Sequence, residues 1–146
     1  MLRQVLAVLF LCLASMAAKA ADDPVVTVVK GRFDEVRESL VAAIEGQGLV
    51  INYTGHIGAM LDRTGKDIGA SKRVFDQAES LEFCSARVSR QMMEANAANI
   101  VFCPFVIAIY TLPGKPGVVH LAYRRPPPTL NAVEEFLKGI VADAKP

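Results

Sequence analysis

The stretch Ile100–Arg125, IVFCPFVIAIYTLPGKPGVVHLAYRR, decides the fold class. Its first part, Ile100 to Tyr110, is apolar on both faces, which predicts a central strand. Pro104 interrupts the run. Proline has no N–H to give to a ladder, so a bulge or a locally unpaired side is expected there. Leu112-Pro113-Gly114-Lys115-Pro116-Gly117 predicts a turn. Val118 to Arg124 then reads as the returning strand of a hairpin, so at least part of the sheet is antiparallel.

Helical and strand patterns alternate on both sides of this hairpin. Downstream, Pro126-Pro127-Pro128 forms a stiff connector. Asn131 with Glu134 predicts a capping box, and Val133, Phe136, Leu137, Ile140 and Val141 form the inward stripe of a final helix. Upstream, Ser85 is an N-cap for a helix that turns Val88, Met92 and Ala95 inward. Leu81–Cys84 reads as a brief strand. Val74, Phe75 and Ala78 suggest a short helix, Lys66–Ser71 a loop, and Ile57–Arg63 another short helix ending at Gly65. Leu49 to Ile57 alternates, with Leu49, Ile51, Tyr53 and Ile57 on one face and Asn52, Thr54 and His56 on the other. Phe33, Val36, Leu40, Val41 and Ile44 recur at helical spacing until Gly46 and Gly48 stop them. Val25–Lys30 is a short β-branched strand. The sum is a single α+β domain: a sheet of about four or five strands packed with helices.

Residues 1–20 read differently from the rest. Arg3 opens them, an apolar run from Val5 to Leu13 follows, and Ala18-Lys19-Ala20 is an A-x-A cleavage site. This is the pattern of a secretory signal peptide, with a mature domain over 21–146. The uncharged stretch Gln4–Ala18 is shorter than the roughly 20 apolar residues of a spanning helix. Leu9-Phe10-Leu11 before Cys12 lacks the small residues of a lipoprotein cleavage site. The expected location is periplasmic or secreted, where thiols are oxidised. No membrane span is expected after cleavage.

Charge excludes one class of partner. The chain holds 16 basic and 15 acidic residues, and losing Arg3 and Lys19 with the leader leaves 14 basic. A balance this close to neutral leaves no electrostatic footprint for nucleic acid or an anionic membrane.

In their order, several features resemble one known family. They are the helix from Gly31 to Gly48, Gly55-His56-Ile57, Phe83-Cys84, Phe102-Cys103-Pro104-Phe105 and the hairpin to Tyr123-Arg124-Arg125-Pro126. The chain is similar to the bacterial family known as domain of unknown function 302. The resemblance covers nearly all of the mature chain. It implies a compact α+β fold, often a homodimer, and no established reaction or catalytic residues.

Chemistry must therefore be read from the residues themselves. Cys84 and Cys103 are the two cysteines that remain after the leader. Three readings stand side by side: a structural disulfide, a metal or redox pair, and buried free thiols. If their strands were parallel neighbours, the Cα atoms would lie roughly 6–9 Å apart by strand rise and spacing. A bridge needs less than about 7 Å. His56, Met60, Cys84 and Cys103 make a soft ligand set that would suit copper or zinc, although their spacing matches no compact finger. His120 falls on the more polar face of its strand. Tyr123, Arg124 and Arg125 at the hairpin end could contact an anion, since Arg offers a planar donor fork. Asp34-Glu35 and Glu134-Glu135 lie in first helical turns, where the helix dipole accounts for them. Ser85 and Ser89 lack a hydrolase elbow, and no phosphate loop or dinucleotide fingerprint is present.

No catalytic constellation or cofactor motif emerges. The sequence favours a non-enzymatic binding or accessory protein of the periplasm, with a small molecule or an envelope protein as its partner. The alternative is a thiol-redox or soft-metal handling protein built on Cys84, Cys103 and His56.

Overall fold

Hydrophobic alternation along the strands and 3.6-residue periodicity along the helices meet in one core. The computed structural model describes residues 23–145, so the leader read over residues 1–20 lies outside the described residues. The strands are β1 (Val25–Lys30), β2 (Ile51–Gly55), β3 (Gln77–Phe83), β4 (Phe105–Thr111) and β5 (Val118–Tyr123). They form one five-stranded sheet in the order β1-β5-β4-β3-β2. Every neighbouring pair is antiparallel. The main helices are α1 (Phe33–Gly46), α2 (Ile57–Asp67), α3 (Ala86–Ala95) and α4 (Asn131–Asp143). The expected α+β class holds.

One sheet face carries the core. The register sets Phe83 opposite Phe105 and Leu81 opposite Ile107. These side chains share a face because strand side chains alternate. Phe33, Val36, Leu40 and Ile44 of α1 meet them, as do Val133, Leu137, Ile140 and Val141 of α4. Each such burial stabilises by roughly 1.5–3 kcal/mol. The other face is more open: Val26, Val28, Tyr53 and Val106 are all exposed there. On that face Tyr110 stacks on His120, with ring centroids 4.7 Å apart. α2 lies against β3. A Cβ on Gly58 would come within 2.9 Å of the Ala78 backbone nitrogen, so glycine is what allows this close approach.

Several local expectations are corrected, each by a tertiary or capping effect. The register slips between Ile51 and Tyr53, so Tyr53 pairs with Glu82 and turns away from the core. This bulge at Asn52 reverses the alternation expected from Leu49 to Ile57. No helix forms over Val74–Ala78. β3 begins at Gln77 and pairs along the whole of β4, while Gln77 N–H donates to Thr111 Oγ1. The ladder captures residues whose apolar spacing alone looked helical. α2 in turn runs on to Asp67, through part of the expected loop.

The apolar run from Ile100 does not start as a strand. Residues Ala97–Phe102 form a 3-10 helix capped by Asn96, whose Oδ1 accepts from Ala98 N–H. Asn99 Nδ2 also donates to the Met92 carbonyl at 2.8 Å, tying this turn to α3. Ile100 and Val101 are left exposed, and β4 begins only after Pro104. On α3 the inward stripe is Val88, Ser89 and Met92, with Ala95 exposed. The final helix has no Asn131 capping box. A 3-10 turn, Pro128–Leu130, leads into it, Asn131 is already helical, and Glu134 pairs with Arg125.

Candidate functional site

The two cysteines meet because α3 is an excursion rather than a crossover. β3 ends at Phe83 and β4 starts opposite it at Phe105. Cys84 is the first residue beyond one strand and Cys103 lies just before the other. The strands are antiparallel neighbours, which corrects the parallel arrangement considered from the sequence. The chain leaves this end of the sheet through Ser85, α3 and the 3-10 helix and returns to the same end. Ser85 caps α3 by accepting from Val88 N–H at 3.4 Å. Cys103 N–H donates to the Ile100 carbonyl at 3.1 Å, and the peptide from Cys103 to Pro104 is cis.

The Sγ atoms of Cys84 and Cys103 lie 3.0 Å apart, and both residues are partly buried thiols. Burial, more than any other cause, pushes the Cys84 thiol up to about 11; pairing with Cys103 adds to this, and the Phe105 backbone N–H acts against it. Ser89 Oγ lies 3.7 Å from Cys103 Sγ. Ser89 was missed as a site residue. Its position four residues after Ser85, on the same helical stripe as Val88 and Met92, was the available signal.

A groove opens beside this pair. Its volume is about 650 Å³. Phe102, Cys103, Phe105, Val133 and Leu137 give it apolar walls, while Glu82 and Arg124 supply charge. The backbone explains the opening. The β4–β5 ladder spans Ala108–Thr111 against Val119–Ala122, so the first three residues of β4 pair with β3 alone. Beyond Tyr123 the chain departs through Pro126 towards α4.

The other sequence-predicted residues separate into three places. His56 is the N-cap of α2, with its Nδ1 3.4 Å from Glu79 Oε1. Glu79 also accepts from Arg37 Nε at 2.6 Å. Cys84, just past the end of β3, follows Glu79 by five residues, so His56 and the cysteines are roughly 17 Å apart along the strand direction. Met60 lies exposed on α2, four residues after His56. The soft ligand set is therefore not assembled. Among the described residues no three His, Cys, Asp or Glu side chains converge in a way that could hold a metal ion. The hairpin-end trio also divides. Tyr123 is buried in the core, and that burial pushes its phenol up. Arg125 is neutralised by Glu134 on α4. Arg124 is exposed at the groove.

Comparison with known proteins agrees with this fold. A family model described as "Domain of unknown function DUF302" matches residues 25–145. The chain belongs to that family. The crystal structure of an uncharacterized conserved DUF302 protein from Bacillus stearothermophilus is similar in fold, with a TM-score of 0.62 at 15% identity. The match covers 83% of this chain and 94% of that one. No curated protein matches the chain at a significant level. The DUF302 fold thus carries the groove and the thiol pair, and the site's chemistry has to supply the functional reading.

Proposed function

We propose that this DUF302 chain is an exported, periplasmic or secreted binding protein whose groove takes a small amphipathic molecule with an apolar body and an anionic end. The observation that carries this is the groove itself. Its volume of about 650 Å³ falls within the roughly 300–1,000 Å³ of ligand pockets. Its walls are mainly apolar, and Arg124 is a cation with no described acid paired to it. The leader pattern over residues 1–20 supports export.

Anilinonaphthalene sulfonate is a suitable probe, because it joins an apolar ring system to an anion. Its fluorescence should rise on binding, and Ala122→Phe, which fills the groove, should abolish that rise without lowering the melting temperature. Equal binding by wild type and Ala122→Phe would reject the site. N-terminal sequencing of the fractionated protein should find a start at Ala21. A start at Met1 would reject export.

The 3.0 Å approach of the two Sγ atoms favours a second property. In an oxidising compartment Cys84 and Cys103 join as an intramolecular disulfide. Intact mass should show a loss of two hydrogens, and two free thiols in the exported protein would reject the bridge.

A further inference from the structure

We propose that Cys84 and Cys103, when reduced, form a dithiol that reduces an apolar disulfide seated in the groove, with Cys103 attacking and Cys84 resolving. This rests on the groove being a binding site. Three geometric facts carry it. Cys103 lines the groove, while Cys84 is not among its lining residues. The two Sγ atoms are 3.0 Å apart, so a sulfur joined to Cys103 stays within reach of Cys84. Ser89 Oγ, 3.7 Å from Cys103 Sγ, can donate a hydrogen bond to a thiolate there.

The exchange balances as follows. The Cys103 thiolate attacks one sulfur of the bound disulfide R–S–S–R. A Cys103–S–S–R bond forms, the ligand's own S–S bond breaks, and the leaving thiolate takes a proton from water. Cys84 then gives its proton to water and attacks Cys103 Sγ. The Cys84–Cys103 bond forms and the second thiolate leaves, to be protonated in turn. The ligand gains two electrons and two protons, and the pair is oxidised. The order follows from access, because Cys103 lines the groove and Cys84 does not. Burial and the neighbouring Cys103 thiol keep it protonated at the start. Once Cys103 is in the mixed disulfide, its thiol no longer adds to the rise at Cys84; burial still raises it and the Phe105 N–H still acts against that.

The test uses the reduced chain with Cys12→Ser, so the count does not depend on the leader. The probe is dithiobis(nitrobenzoate), an aromatic disulfide whose carboxylates suit Arg124. Stopped-flow absorbance should show two nitrothiobenzoate ions released per chain. Acid quenching at early times, followed by peptide mapping, should find the adduct on Cys103. Cys84→Ser should release one ion at an unchanged first rate and keep a stable adduct. Cys103→Ser should slow the first phase about ten-fold or more, since Cys84 does not line the groove and its thiol is raised. An early adduct on Cys84 overturns the proposal, and the mapping needs no variant to show it. Inert thiols in a chain that binds anilinonaphthalene sulfonate overturn the exchange and leave the binding reading standing. Absence of probe binding, together with an exchange rate unaffected by Ala122→Phe, overturns the groove reading and with it this proposal.

Discussion

Oxidising the Cys84–Cys103 pair should stabilise the fold by about 3 kcal/mol. The figure comes from the loop that the bridge would close, Cys84 to Cys103. Chain-entropy loss for a loop of about 20 residues is roughly 11 cal/mol/K, or about 3.3 kcal/mol at 25 °C. The native Sγ atoms are already 3.0 Å apart, so little of this gain is lost to rearrangement. In urea, with a slope of about 1.5 kcal/mol/M, the midpoint should rise by roughly 2 M on oxidation. A thermodynamic cycle gives the same quantity a second reading. If the bridge stabilises the fold by about 3 kcal/mol, the fold stabilises the bridge equally. The native pair should then have a potential roughly 65–70 mV below that of the same pair in the unfolded chain. Denaturation with and without a phosphine reductant, and a glutathione titration in and out of denaturant, measure the two sides independently. Coincident melts of oxidised and reduced protein, or two measurements that disagree beyond error, would refute the reasoning. A low potential also has a functional sense, because it makes the reduced pair the stronger donor to a ligand disulfide.

Alkaline pH should separate the two redox forms. The Cys84 thiol is raised from 9.0 to about 11 in the fold, so folding favours its neutral form. Its contribution is complete below pH 9 and is lost as pH rises towards 11. The reduced protein should lose stability over that window relative to the oxidised protein, and a Cys84→Ser chain should lack the part of that loss due to Cys84. Parallel pH-dependent melts check this, and superimposable pH profiles would reject it. Gly58→Ala should destabilise by roughly 1–3 kcal/mol, because the new methyl meets the Ala78 backbone at 2.9 Å. Gly55→Ala should cost less, since its nearest obstacle is the rotatable Ser80 hydroxyl; equal midpoints would mean α2 is not docked this tightly. Ile140→Asp should cost several kcal/mol, because Ile140 is 1% exposed and the new charge would have no partner. Lys138→Asp, at an exposed position beside Glu135, should change stability by about 0.5 kcal/mol or less. Denaturant midpoints of the two variants compare them directly.

Legibility from the sequence followed the range of the forces involved. α1 was readable because five apolar residues at helical spacing bury one stripe and glycines end it. The β4–β5 hairpin was readable because its turn chemistry is local. The start of β3 was not, because Ala78 is held by pairing with Tyr110, which is distant in sequence. The bulge at Asn52 was hidden for the same reason. At Ile100–Phe102 hydrophobicity suggested a strand, but the Asn96 cap and the Asn99 tie to α3 decided otherwise. Asn131 matched a capping pattern, yet Arg125 engages the glutamate that the pattern needs. The cysteine pair was legible as a pair and not as a geometry. Its closeness depends on β3 and β4 ending together.

That common end also accounts for the site's position. In a fully laddered sheet, the start of β4 would be covered by β3 on one side and β5 on the other. Here the β5 ladder stops at Ala122. Tyr123 still pairs with Val25 of β1, and the chain after it runs through three prolines towards α4 instead of along β4. On the other flank Pro104 likewise offers no donor, so the chain before β4 turns away towards α3 instead of extending the strand. The result is an apolar opening beside a half-paired strand, with Cys103 at its wall and Arg124 at its rim. Groove and thiol pair thus share one end of β4: β3 pairs with it to Phe105, which brings the cysteines together, and β5 stops at Ala108, which leaves the opening. A ligand in the proposed groove would therefore lie beside Cys103.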